Sequence, residues 1–479
     1  LKTGDEPADF APCQEHIRRD GVLHMRINFV QKPLVIKEPR KIVFGLMASP
    51  AKPMPGNWRK VLFEHDAPDR QFIELIGAQY WGSPSIMYSK YPINGDFSGL
   101  DKMQELRMGG KMGDFWRYYN ARNLSGDISD STYMSPKKVR QLMGIAFRRS
   151  QRVGHNYFCV YWEEFHRTLN YHPEVPVFKE EWSGNYTGTG HHCYPESYLD
   201  FACYYAAQFI RRGIGTYFDN TFPKRAYDPV TTAAYRLPNG QMQPSANMWR
   251  HRRYLRRVWT LHAQMGSDRF PPIMMLHMTN THIVPYMVFN HANYDLEWFY
   301  GPEPLQSKFT PDLLRAESIG LQTGNYPLAL AHVRGPGKGR TSAEARRKAR
   351  KTRFAGLMVH EIRTRPTGEI DRQLLNRMVE FGYGGEGCKV VNYWDKKTPV
   401  KPSDQRVKWL LMRRGDSAML LLCTWNPEPA TAKIGLDTRA LGFDPKAAAD
   451  AETDQAVPWK DGTLSLELEG YGARLIRID

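Results

Sequence analysis

From about residue 58 to about residue 400, short apolar runs alternate with amphipathic helical ones, and this alternation constrains the fold more than any other feature. FIELIGAQYW (72 to 81), YFCVYWEEF (157 to 165), GIGTYFDNTF (213 to 222) and PIMMLHMTNT (272 to 281) have strand character, whereas SPKKVRQLMGIAFRRSQRVG and SYLDFACYYAAQFIRRG have helical spacing. Parallel strands need a long crossover between them, usually a helix, so strand and helix in turn predict a parallel sheet. The number of units over this length predicts an α/β fold, a (β/α)8 TIM-like barrel over residues 51–404. Residues 23 to 48 alternate apolar and polar and end in the breaker-rich segment SPAKPMPGNW, so residues 1–50 are expected to be the end of an N-terminal β-domain. After 405 the helical pattern stops. DSAMLLLCTWN, ATAKIGL, GTLSLELEG and YGARLIRID predict a C-terminal antiparallel β-sandwich over 405–479.

Lys and Arg number 66 against 50 Asp and Glu, a formal charge of +16, which attracts anionic partners. The chain also carries 12 Trp, 25 Tyr and 22 Phe, enough to line a cleft that stacks on flat ligand faces such as sugar rings. The six cysteines are scattered with no close C-x-x-C pair, which excludes a zinc ribbon or redox dithiol. No apolar run approaches the roughly 20 residues of a membrane helix, so no membrane partner is expected. The start at Leu1 reads as a processed product, and with a glycan as partner the expected location is secreted or periplasmic. The basic run from Gly335 to Arg353 reads as a solvated insertion, with contact to a polyanion as the alternative. In WRHRRYLRRVW (249 to 259), helical spacing puts Trp249, Leu255 and Trp259 towards the buried side and most arginines in solvent. No RNP-like, zinc-finger or helix-turn-helix pattern accompanies these charges, so nucleic acid is not expected.

In a parallel barrel the strand C-termini and the loops after them share one face, so polar residues directly after an apolar strand are the candidates for chemistry. Asp219 fits this best. Gly213 stops a helix, Ile214 to Phe218 form a buried strand, and Asp219 and Asn220 follow it. A capping role for Asp219 is disfavoured because Thr221-Phe222-Pro223 starts no helix. Trp162-Glu163-Glu164 follows the run Tyr157 to Tyr161, and alternation sends the two glutamates to opposite sides. His291-Ala292-Asn293-Tyr294-Asp295-Leu296-Glu297-Trp298 follows the apolar stretch Ile283 to Phe289; it is either a helix start or a carboxylate set among aromatic residues, where an apolar surround raises a carboxyl pKa towards a proton donor's range. Carboxylates on different strands of one barrel face are what glycoside hydrolysis requires, one protonating the leaving oxygen while another attacks, assists or activates water. Trp162, Tyr217 and Trp298 are candidate stacking platforms, and Asn220, His277, His282 and His291 candidate ligands for sugar hydroxyls. His191-His192-Cys193 invites a metal, but it lacks a second spaced ligand pair, so neither metal nor cofactor is expected.

The chain resembles bacterial carbohydrate-active proteins related to glycoside hydrolase family 123. The likeness lies in the entry segment Phe44 to Pro55, the strand Gly213 to Asn220, the carboxylate-bearing stretch Asn293 to Trp298 and the closing β-sandwich. It implies a β-sandwich, a catalytic barrel and a C-terminal β-domain acting on a glycan. Members of family 123 look like substrate-assisted hexosaminidases, in which an adjacent Asp-Glu pair helps the sugar's own acetamido group attack. The nearest equivalent here is Glu163-Glu164, without the aspartate. Asp219 on a middle strand, with a second carboxylate two strands later, is also similar to the retaining barrel families related to α-galactosidases, where the strand aspartate is the nucleophile. The expected function is thus a glycoside hydrolase with Asp219 as nucleophile or assisting base and Glu297 as general acid, with Asp295, Glu163 and Glu164 as substitutes. The positive charge adds the expectation of an anionic glycan, sulfated or uronate-bearing. The alternatives are a substrate-assisted N-acetylhexosaminidase and a non-catalytic glycan-binding protein.

Overall fold

The computed structural model describes chiefly residues 14–30, 44–76, 157–162, 195–211, 215–218, 233–266, 273–277, 284–296, 303–330 and 342–479. By internal contacts the chain divides into Leu1–Ala48 and Ser49–Asp479. In the first unit, β1 (Gln14–Arg19) and β2 (Val22–Ile27) form an antiparallel hairpin. Its two-residue turn, Asp20-Gly21, has φ of 48° and 76°, the left-handed pair that matches the twist of the flanking strands.

The second unit contains an eight-stranded parallel sheet. Its strands are β3 (Val61–Phe63), β4 (Gln71–Ile76), β5 (Tyr157–Trp162), β6 (Gly215–Phe218), β9 (Met274–His277), β10 (Ala292–Asp295), β11 (Tyr326–Ala329) and β12 (Arg363–Thr364), adjacent in that order. The hairpin of β7 (Tyr235–Arg236) and β8 (Met242–Gln243) stands between β6 and the next helix in sequence. β6, β9, β10 and β11 are buried at every residue, as parallel strands covered on both faces must be. One face gathers Val61, Phe63, Ile73, Tyr217, Met275, Tyr294 and Leu328 into a single apolar cluster, here called the inner face. The outer face packs on helices: the Phe218 ring meets Tyr254 of the helix Met248–Met265 edge-on at 5.5 Å. That helix buries His251, Tyr254, Leu255, Val258 and His262, a stripe of helical period. Trp249 lies off the stripe and is exposed, contrary to the sequence expectation.

β12 and β3, the two ends of the sheet order, are tied near their entry points. Glu361 takes a two-pronged ion pair from Arg59 at 2.6 and 2.7 Å and a hydrogen bond from the Tyr383 hydroxyl at 3.0 Å, while Arg363 donates to the Trp58 carbonyl at 3.1 Å. What is established is a parallel sheet with antiparallel sheets after it.

Those antiparallel strands begin at β13 (Lys389–Asn392), before residue 405. β13, β15 (Val407–Arg414), β16 (Ser417–Thr424), β21 (Ala473–Ile478) and β18 (Ala448–Asp450) form one sheet; β14 (Val400–Pro402), β17 (Ala430–Leu436), β20 (Thr463–Leu468) and β19 (Trp459–Lys460) form the other. Trp409, Leu411, Leu420 and Leu422 face the second sheet, whereas Leu410, Met412, Met419 and Leu421 face Phe354, Met358, Leu374 and Met378 of the helices Ala343–Met358 and Glu369–Phe381. The first sheet is therefore a middle layer, which explains unbroken apolar runs such as AMLLLC in antiparallel strands.

Over its described part the basic run is largely solvent-exposed at its start, as expected, but it belongs to a helix that packs on the β-domain and is not an insertion. Residues 343–353 begin the helix Ala343–Met358, capped by the Ser342 hydroxyl, which accepts from the Ala345 N–H at 3.1 Å. Lys348 pairs with Glu469 at 2.7 Å, Lys351 pairs with Glu452, and Arg347 stands 3.8 Å from Glu452. These cations strap the helix to the β-domain.

Candidate functional site

Because the large sheet is parallel, all its strand C-termini meet at one edge. The register aligns Trp162 with Phe218, Phe218 with Leu276, Tyr294 with His277, and Asp295 with Ala329. The segments carrying the sequence candidates begin at this row. Asp219 and Asn220 follow β6, Glu163 and Glu164 follow β5, and Glu297 and Trp298 follow β10. These six residues and His282 lie outside the described residues, as does the side chain of Trp162. Beyond Asn220, the Thr221 N–H and hydroxyl both donate to the His277 carbonyl, at 2.9 and 2.8 Å.

Under the edge is an aromatic floor. The rings of Tyr217 and His277 lie nearly parallel at 6.0 Å, and Tyr294 meets His277 at 5.8 Å, Tyr217 edge-on at 6.2 Å and Phe63 at 4.9 Å. Tyr217 and His277 are each 2% exposed, so neither presents a free face for a sugar to stack on or bind. Sequence reasoning passed over Tyr294, although ANYD alternates as a strand does. The strand is Ala292–Asp295 itself, and Val284–Met287 within the preceding apolar stretch is helical, so neither Asn293 nor Asp295 caps a helix.

Two candidates change place. Asp295 shares the outer face with Asn293: Ala292 and Tyr294 belong to the inner cluster, while Ala329, its register partner, packs with Leu357 on the helical side. It therefore points away from the floor. His291 precedes β10 instead of following it, and so lies at the opposite edge. Its Nδ1 accepts from the Met274 N–H at 3.0 Å, and its ring meets Trp259 at 4.5 Å and His262 at 5.8 Å. Burial, helped by the nearby His262 and Lys52, holds its pKa well below the usual histidine value and keeps it neutral, as the accepted hydrogen bond requires. It is not placed to bind a substrate at the other edge.

That opposite edge also holds Lys52, from the breaker-rich segment SPAKPMPGNW. Its ammonium donates to the Thr323 carbonyl at 2.6 Å and to the Asn325 side chain, and burial lowers its pKa to about 8. Asn325 donates in turn to Asn290 at 2.6 Å, and Asn290 to Asn293 at 2.5 Å. A lone lysine among prolines carried no signal of this network. Among the described residues no group of three His, Cys, Asp or Glu side chains is placed to hold a metal ion; His191-His192-Cys193 lies outside them. No described helix is long and apolar enough to cross a membrane.

Residues 372–455 match the family model described as Glycoside hydrolase 123, C-terminal domain. The match lies in the C-terminal part of the chain and agrees there with the family that the sequence resembles. No curated protein matches the chain. Solved structures similar to it include a GH27 β-L-arabinopyranosidase from Geobacillus stearothermophilus, at 11% identity and a TM-score of 0.43, over 73% of this chain and 78% of that one. Another is α-galactosidase I from Mortierella vinacea, at 9% identity and a TM-score of 0.37, over 71% of this chain and 90% of that one. At these scores neither bears on individual residues.

Proposed function

We propose that this chain is a glycoside hydrolase that cleaves an anionic glycan, sulfated or uronate-bearing, at the C-terminal edge of a closed (β/α)8 barrel, with Asp219 as nucleophile or assisting base and Glu297 as general acid. One observation carries this reading: the segments bearing Asp219 and Glu297 leave strands of one buried parallel sheet, β6 and β10, with only β9 between them. Two strand spacings amount to about 10 Å, and side chains leaning together across that span bring two carboxylates to either side of one glycosidic bond. Asp219 comes two residues after the inward Tyr217 in the chain, which favours it for the inner face. Asp295 faces outward, and Leu296 after it has a left-handed φ of 62°, so strand alternation ends there and does not carry over to Glu297. Glu163 and Asp219 are each the next residue in the chain after the paired Trp162 and Phe218, so Glu163 is the second choice of partner. The ties from Arg59 and Arg363 across β3 and β12 support closure.

The test is Asp219→Asn assayed on a panel of neutral, sulfated and uronate polysaccharides. The expected outcome is a loss of turnover by several orders of magnitude with glycan binding retained, which also separates the enzyme from a non-catalytic binder. Unchanged turnover removes Asp219 from the mechanism. The anionic preference predicts that affinity for charged oligosaccharides weakens as salt rises, since screening shortens the reach of the protein's charge; equal affinity for neutral and charged chains at low salt removes that part.

A further inference from the structure

Among the described residues of the larger unit, the large aromatic side chains in the exposed class are Tyr204, Tyr235 and Trp249. Two of these three fall in or just after one connection, from the end of β6 to the helix Met248–Met265. That connection is a βα crossover, so it leaves from the edge where the Asp219 segment begins. The far end of the helix fixes its direction: Trp259 packs on His291 and the Thr216 hydroxyl lies 3.1 Å from the His262 ring, both at the opposite edge. Trp249, ten residues earlier, is therefore about 15 Å nearer the C-terminal edge at 1.5 Å per residue.

The connection is also built. Ala226 and Ser245 exchange backbone hydrogen bonds at 2.8 and 2.9 Å and close the base of the β7–β8 hairpin. The tip turns at Asn239-Gly240, where the Asn239 side chain accepts from the Gln241 N–H at 3.0 Å. Tyr235 on this braced hairpin is 57% exposed, and Trp249 is 45% exposed. Arg236 beside Tyr235 is held to the Gly240 carbonyl at 2.7 Å. From Pro229 to Ser267 the chain has no Asp or Glu, while it carries Arg236, Arg250, Arg252, Arg253, Arg256 and Arg257. Glu196 and Asp200 pair with Arg253 and Arg257. Arg236 and Arg256 form no ion pair among the described residues, so their charge is left for a partner.

We propose that this connection is an outer subsite that grips an anionic glycan beyond the sugar being cleaved, with Tyr235 and Trp249 stacking on sugar faces and Arg236 pairing with a sulfate or uronate carboxylate. This rests on the glycosidase reading above and extends it: the enzyme acts on chains, and the charged preference resides in this segment. The segment itself carries no acidic side chain, which suits a polyanion and disfavours a basic protein as occupant.

The test compares Tyr235→Ala, Trp249→Ala and Arg236→Ala with the unaltered full chain on chondroitin sulfate, polygalacturonate and dextran, and on 4-nitrophenyl glycosides. Each aromatic variant is expected to lower the ratio of kcat/KM on the charged polymer to kcat/KM on the aryl glycoside by roughly threefold to tenfold, the size of one aromatic stacking contact. Arg236→Ala is expected to flatten the salt dependence of the polymer KM. Tyr204→Ala, an exposed aromatic on the helix Glu196–Ile210, serves as control and leaves the ratio unchanged. Equal losses on polymer and aryl glycoside, or an unchanged ratio in both aromatic variants, overturn the proposal. If the unaltered chain cleaves none of these substrates, the glycosidase reading is what has failed for them. Retention in affinity gels then decides the subsite: weaker retention by chondroitin sulfate or polygalacturonate in Trp249→Ala supports it, and retention equal to the unaltered chain overturns it.

Discussion

The two edges of the large parallel sheet differ in what their described side chains do. At the N-terminal edge, Glu361 is locked between Arg59 and Tyr383, Lys52 is tied into a chain of asparagines, and His291 is neutral with its Nδ1 engaged by backbone. At the C-terminal edge the described floor is aromatic, and the candidate carboxylates follow it in the chain. The difference teaches that buried charge is by itself no ground for placing catalysis. In (β/α)8 enzymes polar groups at the N-terminal face serve stability, whereas chemistry collects where the strands end.

Exchanging damage between the edges breaks or sharpens that contrast. The largest effect is expected for Asp219→Asn: turnover falls by several orders of magnitude while the melting temperature stays within a degree or two, read by activity and thermal unfolding on one preparation. Glu361→Ala should do the reverse. Removing one partner of a buried pair strands the other, so about 3 kcal/mol of stability is expected to go, with kcat of the folded fraction largely kept; a loss of turnover without loss of stability would move Glu361 into the site.

Next comes acid sensitivity. Burial lowers the His360 pKa to about 4, and that of His291 well below normal. Both groups take up protons in the unfolded chain around pH 6.5 but resist them when folded, so stability is full above about pH 7 and declines as pH falls from 6.5 towards 4. His360→Gln should flatten the fall, measured by denaturant unfolding at several pH values. The smallest effect belongs to Lys348→Ala: its partner Glu469 is exposed, so about 0.5 kcal/mol or less is expected, with no change in glycan affinity. A clear loss of affinity would make the basic helix part of the binding surface.

The parallel sheet was legible because its strands are short apolar runs between helical ones; Gly215–Phe218 and Met274–His277 fall inside the runs seen in the sequence. The stretch from Ile283 to Tyr294 was misplaced because a short apolar run cannot by itself distinguish strand from helix. That single shift carried His291 from a supposed rim to the opposite edge. Trp249 was assigned to the wrong side because Trp249, Leu255 and Trp259 were taken as the stripe, whereas the buried set steps through His251, Tyr254, Leu255, Val258 and His262. The early start of the antiparallel strands was missed because KVVN is brief and half-exposed and lacks a strong alternating pattern. Which carboxylate faces inward depends on strand register, which periodicity can suggest but not fix.

The middle-layer position of the β13–β15–β16–β21–β18 sheet has a consequence for how such a protein can evolve. Of its inner partners, Phe354 and Met358 stand on the helix before β12, and Leu374 and Met378 on the helix after it. A gene fusion that cut near residue 372, where the family match begins, would part Phe354 and Met358 from the surface they cover and leave an apolar face exposed on each fragment. The C-terminal part is thus no portable module to be traded between proteins. It travels with the parallel sheet or not at all, and a recombinant fragment lacking it should be recovered from inclusion bodies.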